Sequence, residues 1–343
     1  SSSTNAHAEV PNLSPKISVL MSVYNGARYL REAIDSILNQ TFTDFEFIIV
    51  NDGSTDATAT ILNSYTDPHL KIISNPQNLG LTKSLNVGLK HCRGEYIARL
   101  DTDDISLSNR LKEQINFMTK NSNISISGSF MNIIDEYNNI ISINKIYPHP
   151  KVIKFLLLFK NPILHSSIMI KFNDLKSLNF YNESYEYSQD LELYSRALDK
   201  NFIITIIPKI LVSSRIHKET ISKNPASNKI QRHNRQKICL KNISRYLELS
   251  VPEKKYISSF LWDQKIDSLK NLIKIRSILK KIKKTFLLKE KVSIEEEKII
   301  NIEYKKRTKP LLKIYLKNNF PKIHTLMRKI LNQFLIKENR SPS

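Results

Sequence analysis

Over its first 130 residues the chain alternates short apolar runs with apolar side chains at helical spacing. Ile17–Val23 (ISVLMSV) is a continuous apolar run rich in β-branched residues, which predicts a strand buried on both faces. Leu30, Ile34, Ile37 and Leu38 then recur at helical spacing and predict a helix over Arg28–Gln40. The same logic predicts strands at Phe45–Val50, Leu70–Ile73, Glu95–Leu100 and Ile124–Phe130, with helices at Thr55–Tyr65, Leu81–His91 and Ser108–Lys120. Strands and helices alternating at this pitch imply an α/β fold with a mostly parallel sheet flanked by helices. Beyond residue 131 the alternation weakens. Segments 139–146, 166–171 and 201–207 still read as strands and Gln189–Asp199 as a helix. From residue 228 onward strand signals stop. Leu272, Ile275, Leu279, Ile282 and Phe286 mark one helical face, and Leu311–Phe320 and Pro321–Ile336 repeat that character.

Charge sharpens this division. The 343 residues carry a net charge of +21, yet residues 1–110 sum to −3 and residues 251–343 to +15. A basic, helical tail suits an anionic partner such as a membrane surface, and contact with a second copy of the chain is its competing use. Nucleic acid is excluded as the partner: no zinc spacing, RNP motif or helix-turn-helix accompanies the charge. All six glycines lie at or before Gly128, so backbone geometry that needs glycine is expected in the first half. Cys92 and Cys239 sit in no metal or CxxC spacing, which points to a reducing, cytoplasmic location. Ser1–Ser14 is polar and lacks the apolar core of a signal peptide. No apolar run approaches the length of a bilayer span, so any membrane contact is expected to be peripheral, on the inner face of the cell membrane.

In an open parallel sheet, ligands gather at the carboxyl ends of the strands. There the first strand is followed by Tyr24, Asn25 and Gly26, the second by Asn51, Asp52, Gly53 and Ser54, and the fourth by Asp101, Thr102, Asp103 and Asp104. Three carboxylates within four residues repel one another unless a cation lies among them. Hard oxygen donors suit Mg²⁺ or Mn²⁺, which often bridge to phosphate-bearing substrates. The chain has neither a GxxxxGK[ST] loop nor a GxGxxG turn, which argues against P-loop NTPases, dinucleotide oxidoreductases and sugar nucleotidyltransferases.

Four segments in this order, ISVLMSVYNG (17–26), SILNQTFTDFEFIIVNDGSTDAT (36–58), NPQNLGLTKSLNVGL (75–89) and RGEYIARLDTDD (93–104), resemble glycosyltransferase family 2. The resemblance implies a GT-A nucleotide-sugar-binding fold and inverting transfer of one sugar from a nucleoside-diphosphate sugar, a UDP-sugar by preference. It implies a DxD motif at Asp101-Thr102-Asp103, with Asp103 and Asp101 on Mn²⁺ or Mg²⁺ and Asp101 also toward the ribose. It further implies nucleotide-sugar contacts from Val23, Tyr24, Asn25, Asp52, Gly80, Lys83, Asp101 and Thr102, with Asp52 at the base.

The second half is similar to the family more loosely. HSSIMIK (165–171) resembles an acceptor-side strand, with His165 near substrate. YSQDLELYSRAL (187–198) resembles a segment that usually carries an acidic pair. Gln189 replaces the first acid, which leaves Asp190 as the implied catalytic base and Glu192 as its backup. SSRIHKETIS (213–222) resembles a segment whose histidine, here His217, closes over the metal or diphosphate. The processive QxxRW motif is absent. Residues 15–227 are thus expected to form the GT-A domain, with a nucleotide-sugar half (15–110) and an acceptor half (111–227), and residues 228–343 a basic helical appendage. The implied acceptor is a glycan, often lipid-linked, of the O-antigen, capsule or lipooligosaccharide kind. The alternative is a catalytically inert nucleotide-sugar-binding or scaffold protein on the same fold.

Overall fold

The computed structural model describes residues 14–217, 225–322 and 324–325. The leader at 1–13, residues 218–222 of the histidine segment, and most of the helix expected over Pro321–Ile336 therefore lie outside the described residues. The chain divides into two units, residues 1–146 with 163–218, and residues 147–162 with 219–343.

The first unit is built on β1 (Ile17–Val23), β2 (Phe45–Asn51), β3 (Leu70–Ser74) and β4 (Tyr96–Arg99), all mutually parallel, as the alternating pattern predicts. Every residue of β1 and β2 is buried, which is why both read as unbroken apolar runs. The helices α1 (Ala27–Leu38), α2 (Thr58–Asn63), α3 (Leu81–Leu89) and α4 (Arg110–Lys120) supply the crossovers and the sheet cover. Leu30, Ile34 and Ile37 of α1 pack with Leu111, Ile115 and Met118 of α4 on one core with Val19, Met21 and Phe47.

The rest of the sheet is mixed rather than parallel. Short β5 (Ile105–Ser106), long β6 (Ile124–Ile134), β7 (Ile140–Asn144), β8 (Met169–Lys171) and β9 (Ile203–Arg215) give the order β3-β2-β1-β4-β8-β6-β9-β5, with β7 on β6. The segment at 166–171 is a 3₁₀ turn at His165–Ser167 followed by β8, which runs antiparallel to both β4 and β6. Strand β9 continues well past residue 207. Pro208 would normally end a strand, but here the β6–β9 register shifts between Ser129 and Phe130, and the proline is accommodated at that irregularity. The continuation carries Arg215 to the rim where β1, β2 and β4 end. After α5 (Pro150–Leu156), which belongs to the second unit, come α6 (Phe172–Ser177) and α7 (Gln189–Asp199) of the first.

The second unit is all-helical: α5, then α8 (Pro225–Ser244), α9 (Val251–Leu261), α10 (Leu269–Glu290), α11 (Ile294–Thr308) and α12 (Pro310–Asn319). Its core is aromatic and aliphatic. Phe286 of α10 meets Phe155 of α5 edge-on at 5.1 Å and Tyr246 at 4.8 Å. Asn242 is fully buried, and its amide donates to the Leu157 carbonyl at 2.7 Å. Ser250 with Glu253 and Ser293 with Glu296 form capping boxes that start α9 and α11.

Candidate active site

Because β1, β2 and β4 are parallel, their carboxyl ends open on one rim, and local hydrogen bonds fix what each presents there. Asn25 follows β1 in the left-handed region at φ 50, which asparagine tolerates better than most residues. Its Oδ1 accepts from the backbone N–H of Thr55 at 2.8 Å, and its own N–H donates to Ser54 Oγ at 2.9 Å. Asn25 thereby stitches the end of β1 to the NDGSTD turn. Tyr24 beside it is 50% exposed, while Val23 is buried and its carbonyl accepts from the Asp52 N–H at 2.8 Å. A Cβ on Gly26 would stand 3.5 Å from Thr102, so the end of β1 lies against the DxD turn.

Asp52, expected at the nucleobase, is bonded within the protein. It is 1% exposed, and both carboxylate oxygens are occupied within the protein. Oδ1 accepts from Asn75 Nδ2 and the Leu79 N–H, each at 2.8 Å, and Oδ2 from the Gly80 N–H at 2.9 Å. The carboxylate clamps the 75–80 loop that starts α3. Gly80 takes φ 88 to enter the helix from that loop, and Gly53 takes φ 68 where a Cβ would strike the Gln77 backbone. Lys83, on the first turn of α3, is exposed.

The three aspartates after β4 have three different surroundings. Asp101 pairs with the buried Arg99 guanidinium, and its Oδ2 accepts from Ser166 Oγ at 2.8 Å. Burial pushes its carboxyl up, but Arg99, His165 and Ser166 outweigh that and hold it below the usual range. Asp104 is driven well above that range by burial and by the two neighbouring aspartates. The side chains of Asp101 and Asp103 are both partly exposed, at 38% and 26%, and Asp103 Oδ2 lies 2.9 Å from His217 Nε2.

His217 is buried, and its ring stands 5.2 Å from that of Tyr29. Arg215, two residues earlier, stacks its guanidinium on the same tyrosine at 4.5 Å. Arg215 also donates to Glu32 Oε2 at 2.6 Å, to the Asp103 carbonyl at 3.0 Å and to Asn138 Oδ1 at 2.5 Å, and its N–H donates to Asp104 Oδ1 at 2.9 Å. One side chain therefore ties α1, the DxD turn and the β6–β7 turn together around the histidine. Arg215 lies in the SSRIHKETIS segment, but only its histidine is expected at the site; the length of β9 brings the arginine here as well.

Asp190 lies on the first turn of α7, half-buried, after Ser188 in the left-handed region at φ 68. Burial, and to a lesser degree the charges of Asp190 and Asp101, pushes the Tyr181 phenol up. Tyr181 OH meets His165 Nε2 at 2.8 Å, and burial beside Arg99 pushes the His165 imidazole down to about 3. His165 is thus a neutral strut rather than a proton carrier at neutral pH. Glu192, the expected backup base, is taken up by Arg196, whose Nε donates to both its oxygens at 2.9 Å. That i,i+4 pairing is visible in the sequence.

Asp103 and His217 offer one hard oxygen and one imidazole nitrogen at a common point. Among the described residues no group of three His, Cys, Asp or Glu side chains is arranged to hold a metal by itself. Such a pair fits Mg²⁺ or Mn²⁺ in the mode where few side chains bind and substrate phosphates complete the coordination.

The family model for Glycosyl transferase family 2 matches residues 18–200, which span all of these strand ends and Asp190. The chain is 33% identical over 256 residues to an uncharacterized glycosyltransferase of Haemophilus influenzae, covering 71% of this chain and 78% of that one. It is 38% identical over 207 residues to another from Methanocaldococcus jannaschii, covering 59% and 71%. In fold it is similar to TarS 1-349 of S. aureus in complex with UDP-GlcNAc (TM-score 0.59, 18% identity, 88% and 91% covered). It is also similar to the mannosyltransferase PcManGT of Pyrobaculum calidifontis in complex with GDP-Man and Mn²⁺ (TM-score 0.52, 15% identity, 91% and 89% covered). With α/β architecture, strand-end carboxylates and this match over more than half its length, the chain belongs to glycosyltransferase family 2.

Proposed function

We propose that this glycosyltransferase is an inverting, metal-dependent enzyme that moves one sugar from a UDP-sugar to a hydroxyl of a glycan. The observation that carries the reading is the Asp103–His217 pair at 2.9 Å, beside the strand ends that carry Tyr24 and Thr102. In this reading Asp103 and His217 hold Mn²⁺ or Mg²⁺, which when bound neutralises charge developing on the diphosphate leaving group. Asp101, locked by Arg99 and Ser166, faces the ribose side rather than the metal. Tyr24 lies against the base. Asp52 supports the donor indirectly by holding the 75–80 loop and, with it, Lys83.

Asp190 is the base. Its carboxylate accepts the proton of the acceptor hydroxyl as that oxygen attacks the anomeric carbon opposite the departing diphosphate, which inverts the configuration. One carboxylate suffices for this step, so Gln189 in place of an acid is compatible with it. Both TarS and PcManGT share the fold and were solved with nucleotide sugars, which supports a donor of this class. The basic helices of the second unit favour an acceptor carried on lipid at the inner membrane face. No helix among the described residues is long and apolar enough to cross a membrane. The test is UDP release from a panel of UDP-sugars with Mn²⁺ and candidate acceptors. Turnover that depends on metal and on Asp190 supports the reading, and donor binding without turnover on any acceptor or water contradicts it.

A further inference from the structure

Helix α10 runs for 22 residues, about 33 Å at helical rise. From Leu269 to Lys289 it contains seven lysines and one arginine and no Asp or Glu. Ile275, Ile278, Leu279, Ile282 and Phe286 form its buried stripe. The opposite arc carries Lys270, Lys274, Arg276, Lys280, Lys281 and Lys284, all exposed. Three large aliphatic side chains stand among these cations, with Leu269 56%, Ile273 60% and Leu288 69% exposed. Glu253 of α9 borders the arc near Lys274 and Lys281, and its carboxylate is already capped by Ser250. Lys270, Lys280 and Lys284 have no ion-pair partner among the described residues.

We infer that this outward face of α10 is a docking surface for an anionic lipid bilayer. Either property alone has a simpler explanation. A cationic arc without apolar side chains is a solvated helix, and scattered exposed aliphatics are ordinary. Here aliphatic side chains at both ends of one helix project from a cationic field that carries no acid of its own. A helix lying in the headgroup plane needs that combination: lysines at the level of the phosphates and aliphatic tips in the acyl boundary. Nucleic acid would match the charge, but it gives no role to Leu269, Ile273 and Leu288, since bases stack on aromatic rings or guanidinium groups. The inference deepens the lipid-linked acceptor reading above by naming the surface, and it does not depend on the transfer chemistry.

The test uses the full chain with sedimented vesicles of phosphatidylcholine alone or with 30% phosphatidylglycerol. Binding is expected only to the anionic vesicles, falling at least tenfold between low and high salt. Lys280→Glu/Lys284→Glu should weaken it at least tenfold, and Leu269→Ser/Ile273→Ser about fivefold. UDP affinity and the melting temperature, measured alongside, should stay unchanged in both variants, because all four side chains are exposed. No binding to anionic vesicles at low salt overturns the inference, as does unchanged binding by the charge-reversal variant. A serine variant that binds vesicles normally, while an RNA oligonucleotide displaces the protein from them, assigns the face to nucleic acid and also overturns it. Loss of donor turnover with vesicle binding intact would count against the proposed function alone.

Discussion

His217 Nε2 lies 2.9 Å from Asp103 Oδ2, although the two residues are 114 positions apart. Strand β9 ends two residues before His217, and Arg215 fixes that end by bonds to Glu32, Asn138 and the Asp103 carbonyl. The first prediction follows from this pair. His217→Ala and Asp103→Asn should each weaken Mn²⁺ binding by about 10- to 100-fold, read by titration calorimetry in the presence of UDP. Unchanged metal affinity in both variants would remove the pair from the metal site.

Arg215 should matter more for stability than its single charge suggests. It is almost wholly buried, and its removal orphans carbonyl and amide acceptors that water reaches poorly. Arg215→Ala is expected to cost about 3 kcal/mol in urea unfolding, and Arg215→Lys most of that, because a lysine reproduces neither the forked geometry nor the stack on Tyr29. A loss below about 0.5 kcal/mol for both would show that the hub is not needed.

Asp52 separates two roles by measurement. As a clamp on the 75–80 loop it accepts three hydrogen bonds through a charged carboxylate, so Asp52→Ala should destabilise the chain by about 3 kcal/mol. Its effect on donor affinity should be equal for UDP and for other nucleoside diphosphates. A variant of unchanged stability that lost only the preference among bases would restore Asp52 to direct base contact.

The buried, neutral His165 gives a pH dependence with a definite sign. Its imidazole is pushed down to about 3 in the folded chain, against an ordinary value of 6.5. Above 6.5 neither state protonates it, and its contribution to stability is fully present. Below 6.5 the unfolded chain takes up a proton that the folded chain refuses, so stability is lost as pH falls toward 3, at about 1.4 kcal/mol per pH unit. Urea unfolding of wild type and His165→Gln at pH 7, 6 and 5 should show a steeper decline in wild type. Parallel declines would contradict the assignment.

How far the sequence could be read depended on how local each signal was. Strands β1 and β2 are buried on both faces, so their apolar runs marked them residue by residue, and α7 was legible from its stripe over Gln189–Asp199. The helix α5 was not, because its apolar residues answer to Phe286 and other partners far along the chain. Strand β9 was cut short at Pro208, since a register shift on its partner strand leaves no mark in its own sequence. The carboxylates of the rim were all found, but their roles were only partly readable. Asp52 and Asp101 both look like ligand contacts in sequence; the burial of Asp52 on Asn75, and the bonds that Arg99 and Ser166 make to a still partly exposed Asp101, emerge only from the packing of distant segments. The Glu192–Arg196 pair, by contrast, is legible from their spacing of one turn.

Activity of this chain is expected to need both Asp190 and the Asp103–His217 pair. The most direct measurement is UDP release from a UDP-sugar, with acceptor, for wild type with Mn²⁺, wild type with chelator, and Asp190→Asn with Mn²⁺. Turnover is expected only in the first, with a loss of at least about 10²-fold in the other two and UDP binding retained by Asp190→Asn. Turnover by Asp190→Asn at the wild-type rate would contradict it.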